Sequence, residues 1–269
     1  MTRLAVIMSV YKQDNLEHLK EALLSLYNQS FSDFDIFIQC DGILQDEMIL
    51  FLKKQLNEKK INFLGIRDNN LGLAASLNEL LEVVFDRDYQ IIIRMDSDDI
   101  CEKERIMQQY NFLIQNSEID VVGSDIIEFF DDGVRREVNY PTDHDGIFKN
   151  FAHRTAIPHV TAMFRRSFFE KSGFYNIDSN RNEDQWLWLD GFKKECRFAS
   201  ISKPLVNVRL SKKLLSRRVN FKHNLDTFYL RNKVINDLGF PKYFLIYNFL
   251  IFVLKLLPPA ILQLIYKIR

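Results

Sequence analysis

Through the first hundred residues, short apolar runs alternate with longer stretches whose apolar positions recur every three or four residues. Leu4 to Met8, Phe34 to Gln39, Ile61 to Leu64 and Gln90 to Met95 are rich in Ile, Val and Phe and read as strands. Between them lie Leu16 to Asn28, with Leu19, Leu23, Leu26 and Tyr27 at helical spacing, then Asp46 to Lys59 and Leu73 to Phe85. Strands that alternate with amphipathic helices predict βαβ units around a parallel sheet. Further on, Arg105 to Ile114 predicts another helix, and Val121 to Gly123 and Ile126 to Phe130 predict strands. Asp131-Asp132-Gly133 is a turn signal with a hairpin around it. Pro141 to His159 reads as irregular, Phe168 to Ser172 as a short helix, and Glu183 to Gly191 as the opening of another.

In open parallel sheets, ligands bind outside the carboxyl ends of the strands. The residues just past each predicted strand are polar or acidic: Ser9-Val10-Tyr11-Lys12, Asp41-Gly42, Asp68-Asn69-Asn70-Leu71-Gly72 and Arg94-Met95-Asp96-Ser97-Asp98-Asp99. Together they outline a cleft along one sheet edge.

The tail from Gly239 differs in kind. Tyr243 to Leu254 is densely apolar, Lys255 and Pro258-Pro259 interrupt it, and Ala260 to Tyr266 resumes before Lys267-Ile268-Arg269. The run is shorter than the ~20 apolar residues a spanning helix needs. Two short helices in a membrane interface fit it, and so does a tail packed on its own domain or on a second copy. The expected division is 1–215 for a catalytic domain and 216–269 for a helical C-terminal extension.

Composition narrows the classes. The 269 residues can bury a large core, and Lys+Arg 36 balances Asp+Glu 36, so net charge gives no reason to expect a nucleic-acid partner. Cys40, Cys101 and Cys196 are scattered and lack metal-ligand spacing, which fits reduced thiols in a cytoplasmic protein. The apolar run at the N-terminus is too short for a signal peptide and is expected to be the first strand. No G-x-x-x-x-G-K phosphate loop occurs.

Asp96-Ser97-Asp98 is the sharpest chemical feature. In extended chain, residues i and i+2 point the same way, so two carboxylates face one site after the apolar Ile91-Ile92-Ile93. Their repulsion is relieved by a cation, and hard oxygen donors suit Mg²⁺ or Mn²⁺. The same residues also make good turn and helix-capping chemistry.

Five ordered motifs carry a resemblance. Val6-Ile7-Met8-Ser9-Val10-Tyr11, Ser25-Leu26-Tyr27-Asn28-Gln29-Ser30, Gln39-Cys40-Asp41-Gly42, Asn69 to Asn78 and Arg94 to Asp99 follow one another at the expected intervals. This resembles the family 2 glycosyltransferases, inverting enzymes with the GT-A fold, over most of the chain up to about Leu210. Ser9 and Lys12 depart from the family's usual proline and asparagine. The fold class implied is α/β, a Rossmann-like, mostly parallel central sheet flanked by helices, with the apolar helical extension appended.

By this resemblance Ser9, Val10, Tyr11 and Asp41 hold the nucleotide base, and Asn70 and Gly72 belong to the donor loop. Asp96 looks like the ribose-side or metal-side carboxylate, and Asp98 like the direct ligand of a Mn²⁺ or Mg²⁺ that bridges the donor diphosphate. In Asn182-Glu183-Asp184-Gln185-Trp186-Leu187-Trp188, Asp184 matches the usual general base and Glu183 looks like a support for the loop or the acceptor. The plain alternative is an acidic helix start. His159 is expected to line the acceptor or diphosphate pocket. Trp186 and Trp188 cannot share one helix face, so at most one belongs to the site. Lys212, Lys213, Arg217 and Arg218 look like a basic loop closing over the diphosphate, or a solvated or lipid-facing stretch.

The expected activity is transfer of a sugar from a nucleotide-diphosphate donor, a UDP-sugar by resemblance, to a hydroxyl of a cell-surface glycan or lipid-linked precursor. The expected place is the cytoplasm at the inner face of the membrane, with peripheral contact through the C-terminal segment. A nucleotidyltransferase acting on a sugar phosphate and a non-catalytic sugar-nucleotide binder are the rival readings.

Overall fold

Successive residues of the first strand feed two different cores. In β1 (Leu4–Tyr11), Ala5 and Ile7 pack into one apolar cluster, while Leu4, Val6, Met8 and Val10 pack into another on the opposite sheet face. That alternation is the period-two geometry of a strand covered on both faces. The computed structural model describes residues 3–130, 133–179, 181–210 and 221–256.

The parallel half of the sheet contains β1, β2 (Asp35–Asp41), β3 (Phe63–Ile66) and β4 (Ile91–Arg94), in the order β3-β2-β1-β4. Helices α1 (Leu16–Tyr27), α2 (Asp46–Asn57) and α3 (Leu73–Asp86) connect them. In α1, Leu19, Ala22, Leu23 and Leu26 form the buried stripe, and the Asn15 side chain caps the first turn by accepting from the Glu17 and His18 amides. Such a cap contributes about 1 kcal/mol.

Beyond β4 the sheet becomes mixed. It continues through β8 (Met163–Arg165), β6 (Val121–Phe129), β9 (Phe198–Arg209) and β5 (Ile100–Cys101), with β7 (Arg135–Val138) paired to β6. β8 runs antiparallel to both β4 and β6, whereas β6 and β9 are parallel. The two strands expected at Val121 to Gly123 and Ile126 to Phe130 are one strand, irregular at Ser124 to Ile126. There Asp125 turns its carboxylate to accept the Tyr140 amide at 2.7 Å. β6 and β7 pair antiparallel around the expected turn, of which Asp131 and Asp132 lie outside the described residues.

Four more helices follow α3: α4 (Arg105–Gln115), α5 (His144–Phe151), α6 (Arg166–Ser172) and α7 (Glu183–Lys193). α5 lies inside the stretch expected to be irregular. Its start is set by Asp143, whose carboxylate accepts the Gly146 amide at 2.9 Å, and it buries only Ile147 and Phe151, too few to register as a period in the sequence.

The C-terminal hairpin is α8 (Phe221–Asp237) and α9 (Tyr243–Lys255). Leu230, Val234 and Ile235 of α8 enter the same core cluster as Ile7 and Trp188, so α8 packs on the body that carries the sheet. The tail's expected second segment, Ala260 to Tyr266, lies outside the described residues. None of the described helices is long and apolar enough to cross a membrane.

Candidate active site

β1, β2 and β4 run parallel, so their carboxyl ends point the same way, with β4 stopping short of the end of β1. Tyr11 pairs with Asp41 in the β1–β2 register, and Ile7 pairs with Arg94 in the β1–β4 register. The loops after β1, β2 and β4 therefore open along one edge, as the strand-end argument expects.

Asp41 anchors the donor-side loop. Its buried carboxylate accepts the amides of Leu71 at 2.8 Å and Gly72 at 3.0 Å, and Asn70 Nδ2 donates to its backbone carbonyl at 3.3 Å. Arg67 closes the same network, donating to Asp41, to Glu79 Oε1 at 2.6 Å and to Ser76 Oγ at 2.8 Å. Gly42 makes this packing feasible. A Cβ there would stand 3.0 Å from the Asn70 backbone nitrogen, and its φ of +84° disfavours any side chain. Gly72, at φ +90°, turns the loop into the start of α3.

A second group forms after β4. Arg94 is buried, and its guanidinium donates to the Asp96 carboxylate and the Met95 carbonyl. Among the described residues its Nε has no partner, an orphaned buried donor under the acidic loop. Ser97 Oγ donates to Asp14 Oδ2 at 2.7 Å, which brings a fourth acid to Asp96, Asp98 and Asp99. Burial, followed by the negative charges of Asp96 and Asp14, pushes the Asp98 carboxyl up to about 6. Asp99 is pushed well above the usual carboxylate range by burial and by Asp96 and Asp98. It accepts the Arg209 amide at 2.8 Å, which ties the loop to the end of β9.

A divalent cation fits this donor set. The acids are hard oxygen donors that repel one another, and a cation between them removes that cost. Among the described residues, no three His, Cys, Asp or Glu side chains converge into a full cage. A cation on Asp98 and Asp96 would therefore complete its shell with donor phosphate and water, the habit of Mg²⁺ and Mn²⁺ at phosphate sites.

The acids at the start of α7 belong to the same site. Glu183 is pushed up to about 7, first by burial and then by Asp184, and it feels the charges of Arg94 and Asp96. Asp184 is also raised by burial, while hydrogen bonds from Gln185 and the charge of Arg231 act the other way. Gln185 Nε2 donates to Asp184 Oδ2 at 2.8 Å, and Arg231 Nη2 donates to Gln185 Oε1 at 3.1 Å. An arginine has only donors, so it fixes the amide with its oxygen inward and leaves the NH₂ for Asp184. Arg231 also donates to the carbonyls of Phe151 and Arg154. Thr227, one turn earlier on α8, donates to Asn182 Oδ1 at 3.1 Å.

His159 and Tyr175 form the floor between the two sets of acids. His159 Nε2 and the Tyr175 hydroxyl lie 2.9 Å apart. Burial and the charge of Arg94 push the His159 imidazole well below its ordinary range, so it is neutral near pH 7. The Tyr175 hydroxyl is pushed far up by burial, within the fields of Arg94, Glu183, Asp184 and Asp96. Trp188 is fully buried and packs on Phe164 and Phe198, so it is core; Trp186 is partly buried against the same cluster.

The family is decided by comparison. The Glycosyl transferase family 2 model matches residues 5–173, more than half of the chain. The chain belongs to glycosyl transferase family 2. The amylovoran biosynthesis glycosyltransferase AmsE of Erwinia amylovora is 25% identical over 268 residues, covering 98% of this chain and 97% of that protein. An Escherichia coli protein, UDP-Gal:alpha-D-GlcNAc-diphosphoundecaprenol beta-1,3-galactosyltransferase, is 27% identical over 225 residues, 82% of this chain and 79% of that one. The mannosyltransferase PcManGT from Pyrobaculum calidifontis, solved with GDP-Man and Mn2+, superposes with a TM-score of 0.65 at 15% identity, over 98% of this chain and 79% of that one. The fold is thus GT-A.

In this glycosyltransferase Asp96, Glu183 and His159 meet around Arg94 and Tyr175, with Asp184 within the field that Tyr175 senses. Asp41, Asn70 and Gly72 gather around Arg67, beside Tyr11 in the sheet register, with Ser9 partly buried and Val10 fully buried on the same strand. Arg218 and the basic stretch around it lie outside the described residues. Asp14, Arg67, Arg94, Tyr175 and Arg231 escape sequence reasoning as participants. Arg94 alone carried a signal, an arginine ending a buried Ile-Ile-Ile strand.

Proposed function

We propose that the enzyme transfers a sugar, with inversion, from a nucleoside-diphosphate donor to an acceptor hydroxyl of a cell-surface glycan or lipid-linked oligosaccharide precursor. One observation carries this reading: Arg94 is in the fields of both Asp96 and Glu183, so the strand-end acids and the α7 acids face one site. Donor and acceptor chemistry would then meet around Arg94.

Asp98 and Asp96 would hold Mn²⁺ or Mg²⁺, whose positive charge stabilises the departing diphosphate as a Lewis acid. Ser9, Val10, Tyr11 and Asp41 would receive the nucleoside, and Asn70 and Gly72 would shape its loop. Asp184 takes the acceptor proton as its oxygen attacks the sugar carbon on the face opposite the leaving group. Burial keeps that carboxyl basic, and the Gln185 bond holds it ionised and aimed. Glu183 feels both this base and Arg94, and His159, neutral, can exchange a hydrogen bond with the acceptor without adding charge.

UDP as the nucleotide is supported by the donor named for the Escherichia coli relative, and the lipid-linked acceptor by its diphosphoundecaprenol substrate. The Mn2+ beside GDP-Man in the mannosyltransferase supports the cation. Such an acceptor would be met in the cytoplasm at the inner membrane face. Nucleotidyl transfer attacks phosphorus and gives a base aimed at a sugar acceptor no task, and family membership argues against it.

The test is a panel of UDP- and GDP-sugars with Mn²⁺, Mg²⁺ or EDTA, read by thermal shift and by release of free nucleotide. One nucleotide sugar should raise the melting temperature and be hydrolysed slowly, in a cation-dependent way. If none does either, the donor assignment is wrong. Binding without turnover, unaltered in Asp184→Asn, supports a non-catalytic binder instead.

A further inference from the structure

α9 is apolar on both sides, and among the described residues only one side has a partner. Its inner side lies on α8, where Asn248 Nδ2 donates to the Phe228 carbonyl at 3.0 Å and to Asn232 Oδ1 at 2.8 Å. Phe252 packs on Phe228 with ring centroids 4.9 Å apart. The outer side carries Tyr243, Ile246, Leu250 and Val253, at helical spacing and 62%, 64%, 54% and 42% exposed. Tyr247, Phe249 and Leu254 flank that strip, and no charged residue interrupts it. A helix apolar all round is ordinarily covered on every side, and a continuous exposed apolar strip marks a docking surface.

Charge selects the occupant. From Gly239 to Arg269 the sequence contains no Asp or Glu, while Lys242, Lys255, Lys267 and Arg269 are all cationic, in a chain whose total charge is zero. Lys242 and Lys255 stand at the two ends of α9. A second copy docked through this strip about a two-fold axis would gather cations from both chains with no acid of this segment to pair them. An anionic lipid surface neutralises them. Tyrosines at the margin of an apolar strip suit a headgroup boundary, where the ring is buried and the hydroxyl stays wet. At 13 residues α9 is too short to span a bilayer and must lie along it.

We infer that α9 lays its outer strip into the interface of an anionic bilayer, with Lys242 and Lys255 at headgroup level. This deepens the reading of a lipid-linked acceptor proposed above. α8 carries α9 on one side and contributes Arg231 to Gln185 and Asp184 on the other. The docked surface is therefore one helix layer, about 8–10 Å between axes, from the helix that orients the proposed base.

The test is flotation of the full chain with phosphatidylcholine vesicles, with and without phosphatidylglycerol, at low and high salt. Binding should appear with the anionic lipid and weaken several-fold at high salt. Ile246→Glu with Leu250→Glu should reduce partitioning at least about tenfold, while far-UV dichroism and donor hydrolysis stay as in the parent. Should that variant misfold, Leu250→Trp gives a second readout, with emission quenched by brominated anionic lipid. The inference is overturned if the parent chain ignores anionic vesicles, if the double variant binds them as well as the parent, or if the parent is a dimer that the double variant dissociates. Because vesicle binding is read without acceptor or nucleotide sugar, its failure leaves the transfer reading standing. Failure of the donor panel with intact vesicle binding does the reverse.

Discussion

The two sides of the site are built from contacts of different reach along the chain. Asp96 is gripped by Arg94, two residues away, and Asp41 by Arg67 and the amides of Leu71 and Gly72 within the next strand-loop unit. Asp184 is instead aimed through Gln185 by Arg231, a residue of α8, which also bonds the Phe151 carbonyl 80 positions earlier. The proposed donor side is thus held largely by contacts within each strand-loop unit, with Ser97 to Asp14 and Arg209 to Asp99 as its long-range ties. The acceptor side exists only once α5, α7 and α8 have packed.

The largest effect should come from the donor side. Asp98→Asn leaves a neutral oxygen where a cation and a diphosphate need charge, and transfer should fall about a thousandfold. The cation-dependent rise in melting temperature should vanish with it. If the variant keeps both, the acids after β4 are a surface turn and the donor side is misplaced. Next, Asp184→Asn removes the proposed base and should lower kcat by several hundredfold, on the order of a general-base contribution, with donor KM nearly unchanged. Glu183→Gln serves as its comparison. A larger kcat loss there than in Asp184→Asn would move the base one residue, to the acid that feels Arg94 and Asp96.

This contrast also explains what was legible in the sequence. The first four strands and three helices were all read, the helices closely and the strand ends less so, because each carries its own period and its own stop. Leu19, Leu23 and Leu26 show as a helical stripe, and Ile91-Ile92-Ile93 shows as a strand whose end carries acids. Beyond β4 the sheet is mixed and its strands are short or bent. β8 has three residues, and β6 breaks register at Asp125, so period counting splits one strand into two. α5 hid within polar Thr142-Asp143-His144-Asp145. The acids of α7 were visible as a motif, yet the cation that orients Asp184 was not. Arg231 sits in a helix of low apolar periodicity, and only packing brings it 3.1 Å from Gln185.

Arg231 therefore offers the sharpest cut between the two sides. Arg231→Ala leaves every donor contact in place, so donor KM and cation binding should hold while kcat falls about tenfold through a misaimed base. The carbonyls of Phe151 and Arg154 lose their donor, which should also cost about 1–3 kcal/mol of stability. A purely structural role would give that loss alone. The pH profile separates the two. The charge of Arg231 acts to lower the Asp184 pKa, so its removal should move the acidic limb of kcat/KM to higher pH, and Arg231→Lys should restore part of the shift.

The last effect concerns stability alone, in the protein free of donor and cation. Glu183 titrates at about 7 in the fold, because burial and then Asp184 disfavour its charge, against about 4.3 in an unfolded chain. Between those values the folded protein holds a proton that the unfolded chain has released. Stability therefore falls as pH rises through that window, and the loss is complete above pH 7. An amide in place of this carboxyl has no such proton to hold. Glu183→Gln should match the parent near pH 4, pull ahead as pH rises, and be more stable by up to about 3–4 kcal/mol at pH 8, a gain of several degrees in Tm. Urea titrations at pH 4.5, 6 and 8 measure the gap directly. A constant difference across the three would mean that burial and Asp184 do not hold Glu183 against its charge.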